Sequence, residues 1–344
     1  MAYSVIKKPS DYFNTKLWTG NGGTQSITGV GFQPDFTWIK SRSAGSWHHM
    51  GDVVRGADKR LQTNSTNAES TVTTGITSWD SDGFSLGSNG DTNASSATFA
   101  SWNWLGANGT VANTDGSISS TVSANTTSGF SIVSFTGTGA NATVGHGLGV
   151  APKVVIVKKT SGTGDWYVYH GAISGMSGGY ITLNNTDGFY TNVTTFWNGD
   201  HSSTVVDLGS NNNSNGSSDN MIAYCFAEKQ GYSKFGSYTG NGNADGTFVY
   251  TGFSPAFIMI KCTDLARVWR MWDNKRDAIN PNTANLQAQA SDAEYDDPAV
   301  SIDFLSSGFK VRSTDSSYNG SGNSYIYMAF AEAPLVGDNP ATAR

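Results

Sequence analysis

Two short patterns place a carboxylate three residues before a guanidinium: Asp52 with Arg55, and Asp273 with Arg276. Such a pair can orient a sugar hydroxyl through bidentate hydrogen bonds, or brace a strand exit as an internal salt bridge. Each pair follows a tryptophan, Trp47 or Trp269, and a third, Trp166, holds the same place before His170-Gly171-Ala172-Ile173. An indole face can carry a sugar ring, and an indole at fixed spacing can equally anchor a core. These seven residues are the candidate contacts for a glycan or a partner protein.

The remaining chemistry-bearing residues predict no catalytic set. His48 and His49 are adjacent, so on a strand they point to opposite faces and make no metal clamp. His146, His170 and His201 sit in no nucleophile-elbow context. Gly137-Thr138-Gly139 lacks the helix and the Gly-Lys-Ser/Thr that a phosphate cradle requires, and reads as a turn. Asp80-Ser81-Asp82-Gly83 offers alternate oxygens without the other ligands of a calcium loop. A glycosidase needs two carboxylates flanking the bond; Asp80, Asp82, Asp292, Glu294, Asp296 and Asp297 are present but none recurs between the repeats as a pair, and 292–297 reads as a solvated loop. No cofactor and no metal site is expected.

The elements that must position these residues are written as a repeat. An aromatic followed by Thr-Gly-x-Gly opens three segments, at Trp18, Phe135 and Tyr238. A proline comes 16 or 17 residues later (Pro34, Pro152, Pro255), and a lysine six after that (Lys40, Lys158, Lys261). The three tryptophans follow the lysine by seven or eight positions. Leu86, Leu208 and Val311 come next, and Trp104, Phe226 and Phe330 close each copy 18 or 19 residues further on. Gly188-Phe189 imitates the Gly-Phe of 83–84 and 308–309 at the wrong spacing.

Five apolar residues after Pro152 or Pro255 suit a strand covered on both faces. Gly (41 of 344) and aromatics are abundant, and charged residues are 14% of the chain against roughly 25% in an average protein. The expectation is an all-β fold of three tandem antiparallel β-sandwich or jelly-roll-like modules. The boundaries read as an N-terminal arm (1–11), module 1 (12–106), a linker (107–128), module 2 (129–230), module 3 (231–333) and a C-terminal tail (334–344). Only residues 283–295 carry a weak helix signal. A net charge of −6 offers no footprint for nucleic acid. No apolar run is long enough to span a membrane, and the opening residues contain no apolar stretch of a secretory signal. Cys225 and Cys262 are too few for a disulfide framework.

The segments Gly31-Phe32-Gln33-Pro34-Asp35, Gly145-His146-Gly147-Leu148-Gly149-Val150-Ala151-Pro152 and Cys225-Phe226-Ala227-Glu228 resemble a repeated module of structural proteins from marine tailed phages. The resemblance covers nearly the whole chain. It implies lectin-like, or concanavalin-like, β modules in a non-enzymatic virion protein, assembled in the host cytoplasm as a tail fibre, appendage or capsid-surface component. Its partners would be other virion proteins, copies of itself and, at the host surface, glycans. A carbohydrate-binding receptor protein is the alternative, and a polysaccharide depolymerase a more distant one.

Overall fold

The run after each proline becomes a central strand because both of its faces find apolar cover. In Val154–Lys159, Val154 and Ile156 face one core while Val155 and Val157 face another. Phe257 and Met259 separate from Ile258 and Ile260 in the same way along Phe253–Cys262. Pro34 and Pro152 lie just outside their strands. Pro255 lies inside its strand at a register shift, where a missing N–H breaks no regular ladder. In the first copy Thr37 takes the place of Val155, and its hydroxyl bonds the opposite Asn103 at 3.0 Å.

In this computed structural model the described residues are 4–342. Strands make up 43% of the chain and helix 4%, so the protein is all-β. One strand order recurs three times. In the first copy it runs Phe13–Thr19, Thr98–Trp104, Phe36–Ser41, His49–Asp52, Gly56–Leu61, Ser70–Thr71. The second runs Phe130–Thr136, Asn220–Phe226, Val154–Lys159, Trp166–His170, Gly179–Thr182, Tyr190–Thr191. The third runs Ser233–Thr239, Ser324–Pro334, Phe253–Cys262, Arg270–Asp273, Ala284–Gln287, Tyr295–Asp296. A smaller antiparallel sheet covers the outer face of each large one, built around Gly83–Leu86, Val205–Leu208 or Gly308–Val311. Val206 thus stands where Phe84 and Phe309 do, and Gly188-Phe189 belongs elsewhere.

The inner faces of the three large sheets meet in one shared core. Trp104, Phe226 and Phe330, the closing aromatics of the copies, touch one another pairwise at 5.5–6.2 Å between ring centroids. Trp104 also contacts Phe13, Phe36, Phe130 and Phe257, so rings from all three copies surround it. A wholly apolar void of about 10 Å³ remains beside them, the size of one water that nothing there would hold. The three copies therefore form a closed ring of sandwiches.

Several sequence expectations change accordingly. Residues 107–128 are not a linker, because Val111–Asn113 and Ser120–Asn125 extend the second large sheet. Buried Asp35 fastens that join by accepting from the Gly106 and Asn108 N–H groups and the Ser123 hydroxyl. The helix expected over 283–295 is instead the strands Ala284–Gln287 and Tyr295–Asp296, held as an edge by Met271 and Arg270. The terminal segments are packed: Ile6 is buried, and the Asp338 N–H donates to the Lys7 carbonyl. Residues 1–3 and 343–344 of the expected arms lie outside the described residues.

The Thr-Gly-x-Gly turns are locks. Gly20, Gly137 and Gly240 press so close to the backbone of 94, 216 and 320 that a Cβ would sit 2.2–2.4 Å from a carbonyl oxygen. Gly22, Gly139 and Gly242 take positive φ. A fully buried asparagine, Asn93, Asn215 or Asn319, threads each lock. The Asn215 amide donates to Ala140 O (2.6 Å) and Gly209 O (3.0 Å), and its oxygen accepts from the Thr138 N–H (2.9 Å). Asn89, Asn211 and Asp315, four residues upstream, cap the preceding turn. Replacing Asn215 by Ala removes these three hydrogen bonds and leaves the buried Gly209 carbonyl unpaired, and should cost about 2–3 kcal/mol. Urea unfolding measures it; an unshifted midpoint would show that the lock adds nothing.

Candidate functional site: three seams between the copies

Each seam is made by the outer strands of one copy against the closing strand of the next. The Asp-x-x-Arg spacing comes from a turn in which Asp52 Oδ1 accepts the N–H groups of Val54 and Arg55. That turn folds the Arg55 guanidinium back onto Asp52 Oδ2 at 2.5 Å. Across the seam the Tyr224 hydroxyl of the second copy donates to the same carboxylate at 2.8 Å. Glu69 takes the other end of Arg55 at 3.1 Å. The seam of the third copy with the first repeats this set. Arg276 pairs with Asp273 and with Glu294 (2.9 Å), and the Trp102 indole N–H reaches Asp273 at 3.0 Å. Arg276 also lies over the Trp102 ring, and Glu294 is gripped in turn by Arg42 of the first copy.

The remaining seam, second copy to third, exchanges every member of that set. His170 stands for the aspartate, Ile173 for the arginine, Phe189 for the glutamate, and Met328 for Trp102 or Tyr224. A thioether needs no acceptor, so a buried carboxylate there would be unpaired. His170 Nε2 donates instead to the Tyr327 carbonyl at 3.1 Å, and its Nδ1 accepts the Ala172 N–H. The third-to-first seam has no connecting chain, and it carries the largest ionic network.

The tryptophans do a second job. The Trp166 indole N–H crosses to Gln62 O (2.9 Å) and that of Trp269 to Thr182 O (2.8 Å). At the third equivalent seam the donor is His48, whose Nε2 meets Gln287 O at 3.1 Å and Ala290 O at 3.0 Å. The position eight after the lysine is thus His48, and Trp47 lies one residue off, 43% exposed. The repeated lysines are also seam ties. Lys158 and Lys261 donate to their own next carbonyl and to Thr66 O or Thr186 O of the preceding copy. Lys40 donates to Ser41 O, and burial draws all three ammonium groups down to about 8. Two backbone hydrogen bonds complete each seam, such as Glu69 N to Thr160 O and Gly164 N to Thr66 O.

Six of the seven candidate contacts are therefore spent inside the protein. Trp166, Trp269, Asp52, Arg55, Asp273 and Arg276 are buried and cannot meet a glycan. Trp47 alone keeps an open face. Asp80 and Asp82 brace a hairpin, taking Ser78, Ser85, Gly29 and Gly31, and hold no calcium-loop geometry. Among the described residues no group of three or more His, Cys, Asp or Glu is placed to hold a metal. Cys225 and Cys262 are free and buried. Sequence reasoning missed Tyr224, Trp102, Glu69 and Glu294. A signal existed: the residue two before each closing aromatic is Trp, Tyr or Met, and it varies in step with Asp, Asp or His.

The match to a family profile runs over residues 8–334 and so takes in all three copies and every seam. The chain belongs to the DUF7483 family. That family is described as a domain of unknown function. No curated protein matches the chain. The unit of DUF7483 in this chain is therefore the whole ring, in keeping with a core that no single copy encloses.

Two predictions follow the chemistry of the seams. Arg55→Met leaves the Asp52 carboxylate buried beside Tyr224, and should cost about 3–5 kcal/mol in urea unfolding. Arg55→Ile combined with Asp52→His, Glu69→Phe and Tyr224→Met copies the apolar seam, and should return most of that loss; a further loss would refute the exchange.

The histidines set the response to acid. His48, His146, His170 and His201 each accept an N–H at Nδ1, which fixes a neutral ring. Burial holds His48, His49 and His201 down to about 3 and His170 to about 4. As pH falls below about 6.5 the unfolded chain binds protons that the folded chain refuses. Stability is thus full above about 6.5 and drains down to about 4 for His170 and about 3 for His48, His49 and His201, by about 1.4 kcal/mol per pH unit for each. Thermal melts across this range, with proton uptake from calorimetry in two buffers, check it; a flat midpoint from pH 7 to 5 would contradict it.

Proposed function

We propose that this protein is a non-enzymatic structural component of a tailed-phage virion, mounted on a tail fibre, appendage or capsid surface. The observation that carries the reading is the closed ring itself. The charged and aromatic side chains that could have served chemistry are committed to holding three copies together. The sequence resemblance to marine phage structural proteins supplies the setting. A sparsely charged chain rich in Ser, Thr, Asn and Gly suits a building block displayed in several copies, where weak single contacts gain from multiplicity. Exposed Trp47 favours host-surface glycans as a second class of partner.

The test is proteomic and structural. Particles purified from a host carrying the gene should contain the chain at a copy number that fits a tail or capsid symmetry, and a cryo-EM map should show density for the ring. Infective particles lacking the chain would overturn the reading. Release of reducing sugar from host envelope by the purified protein would replace it with an enzymatic one.

A further inference from the structure

The seam between the second and third copies is open to solvent along one side. A cleft of about 460 Å³ lies along it, where Ile173 and Phe189 replace the arginine and glutamate of the other seams. Ile326 of the third copy, on the same face as exposed Ser237, completes an apolar floor. Hydroxyls ring that floor, from Ser174 and Thr191 on one side and Ser237, Thr263 and Ser324 on the other. Asp264 stands at the rim. Its carboxylate accepts from the Ser324 N–H at 2.7 Å and the Thr263 hydroxyl at 3.2 Å. Two such bonds leave about half of its acceptor sites for a ligand. No lysine or arginine lines the cleft.

We propose that this cleft binds a neutral saccharide. The volume falls in the range of small-ligand sites, roughly 300–1,000 Å³. An apolar floor suits the C–H face of a sugar ring, and the hydroxyl and carboxylate rim suits its hydroxyl edge. A carboxylate with no facing cation disfavours anionic sugars. The other two seams hold an ionic set at the equivalent positions, so an apolar floor is a local property of these side chains. The inference is independent of the virion assignment, since a purified chain suffices to test it.

Isoleucine-methyl NMR of the full chain reads the site directly, because Ile173 and Ile326 both line it. Methyl glucoside, methyl galactoside and N-acetylglucosamine are the probes, with glucuronate as the anionic control and a Ser/Thr-rich hexapeptide as the peptide control. At least one neutral sugar should shift both methyls with a dissociation constant in about the millimolar range. Glucuronate should bind about tenfold more weakly. His170→Asp, Ile173→Arg, Phe189→Glu and Met328→Tyr together import the complete ionic set of the other seams, and should abolish the Ile326 response without lowering the urea midpoint. Ser237→Tyr, at an exposed position, fills the cleft without touching the seam and should do the same. Silence toward every neutral sugar would overturn the proposal. So would a response to the peptide alone, or binding that survives both variants.

Discussion

Three aromatic rings that must meet at one point govern this structure. Trp104, Phe226 and Phe330 hold equivalent places on the closing strands, and each is buried against the other two. A sandwich of one copy has a sound outer core between its two sheets, as Ile258, Phe309 and Tyr325 show in the third. Its inner face would still expose large rings to water. Burying a side chain of this size is worth roughly 2–3 kcal/mol. The meeting of the three faces is therefore a condition of folding.

The seams translate that condition into specificity. Apolar packing alone would tolerate slippage between the inner faces. The backbone bonds, the lysines and the indole or imidazole donors fix the offset of each copy against the next. The ionic sets add direction at two seams, while a short covalent join replaces them at the third.

Much of the fold was legible in residue spacing. The proline-to-lysine distance located the central strands, and Leu86, Leu208, Val311 and the closing aromatics marked where each copy ends. The shared core was not legible, because a strand covered by its own partner sheet and a strand covered by a neighbour look alike in sequence. Val154 and Val155 face different cores yet are the same residue type. The assignment of Trp47 failed for a simpler reason. An indole and an imidazole can donate the same hydrogen bond, so the equivalent of Trp166 was His48 and the nearby Trp47 was a distraction. The polar strands of 111–125 were hidden by their solvent-facing residues, which read like a loop.

Every copy offers its outer strands to one neighbour and its closing strand to the other, so the contact is heterologous, running head to tail. Contacts of that type grow without end unless the rotation between units closes them. Here the aromatic triangle closes them at three, leaving no unsatisfied half on either side. A polypeptide holding only one such copy would carry both halves of the interface, and could bury its inner face only as a cyclic trimer of separate chains.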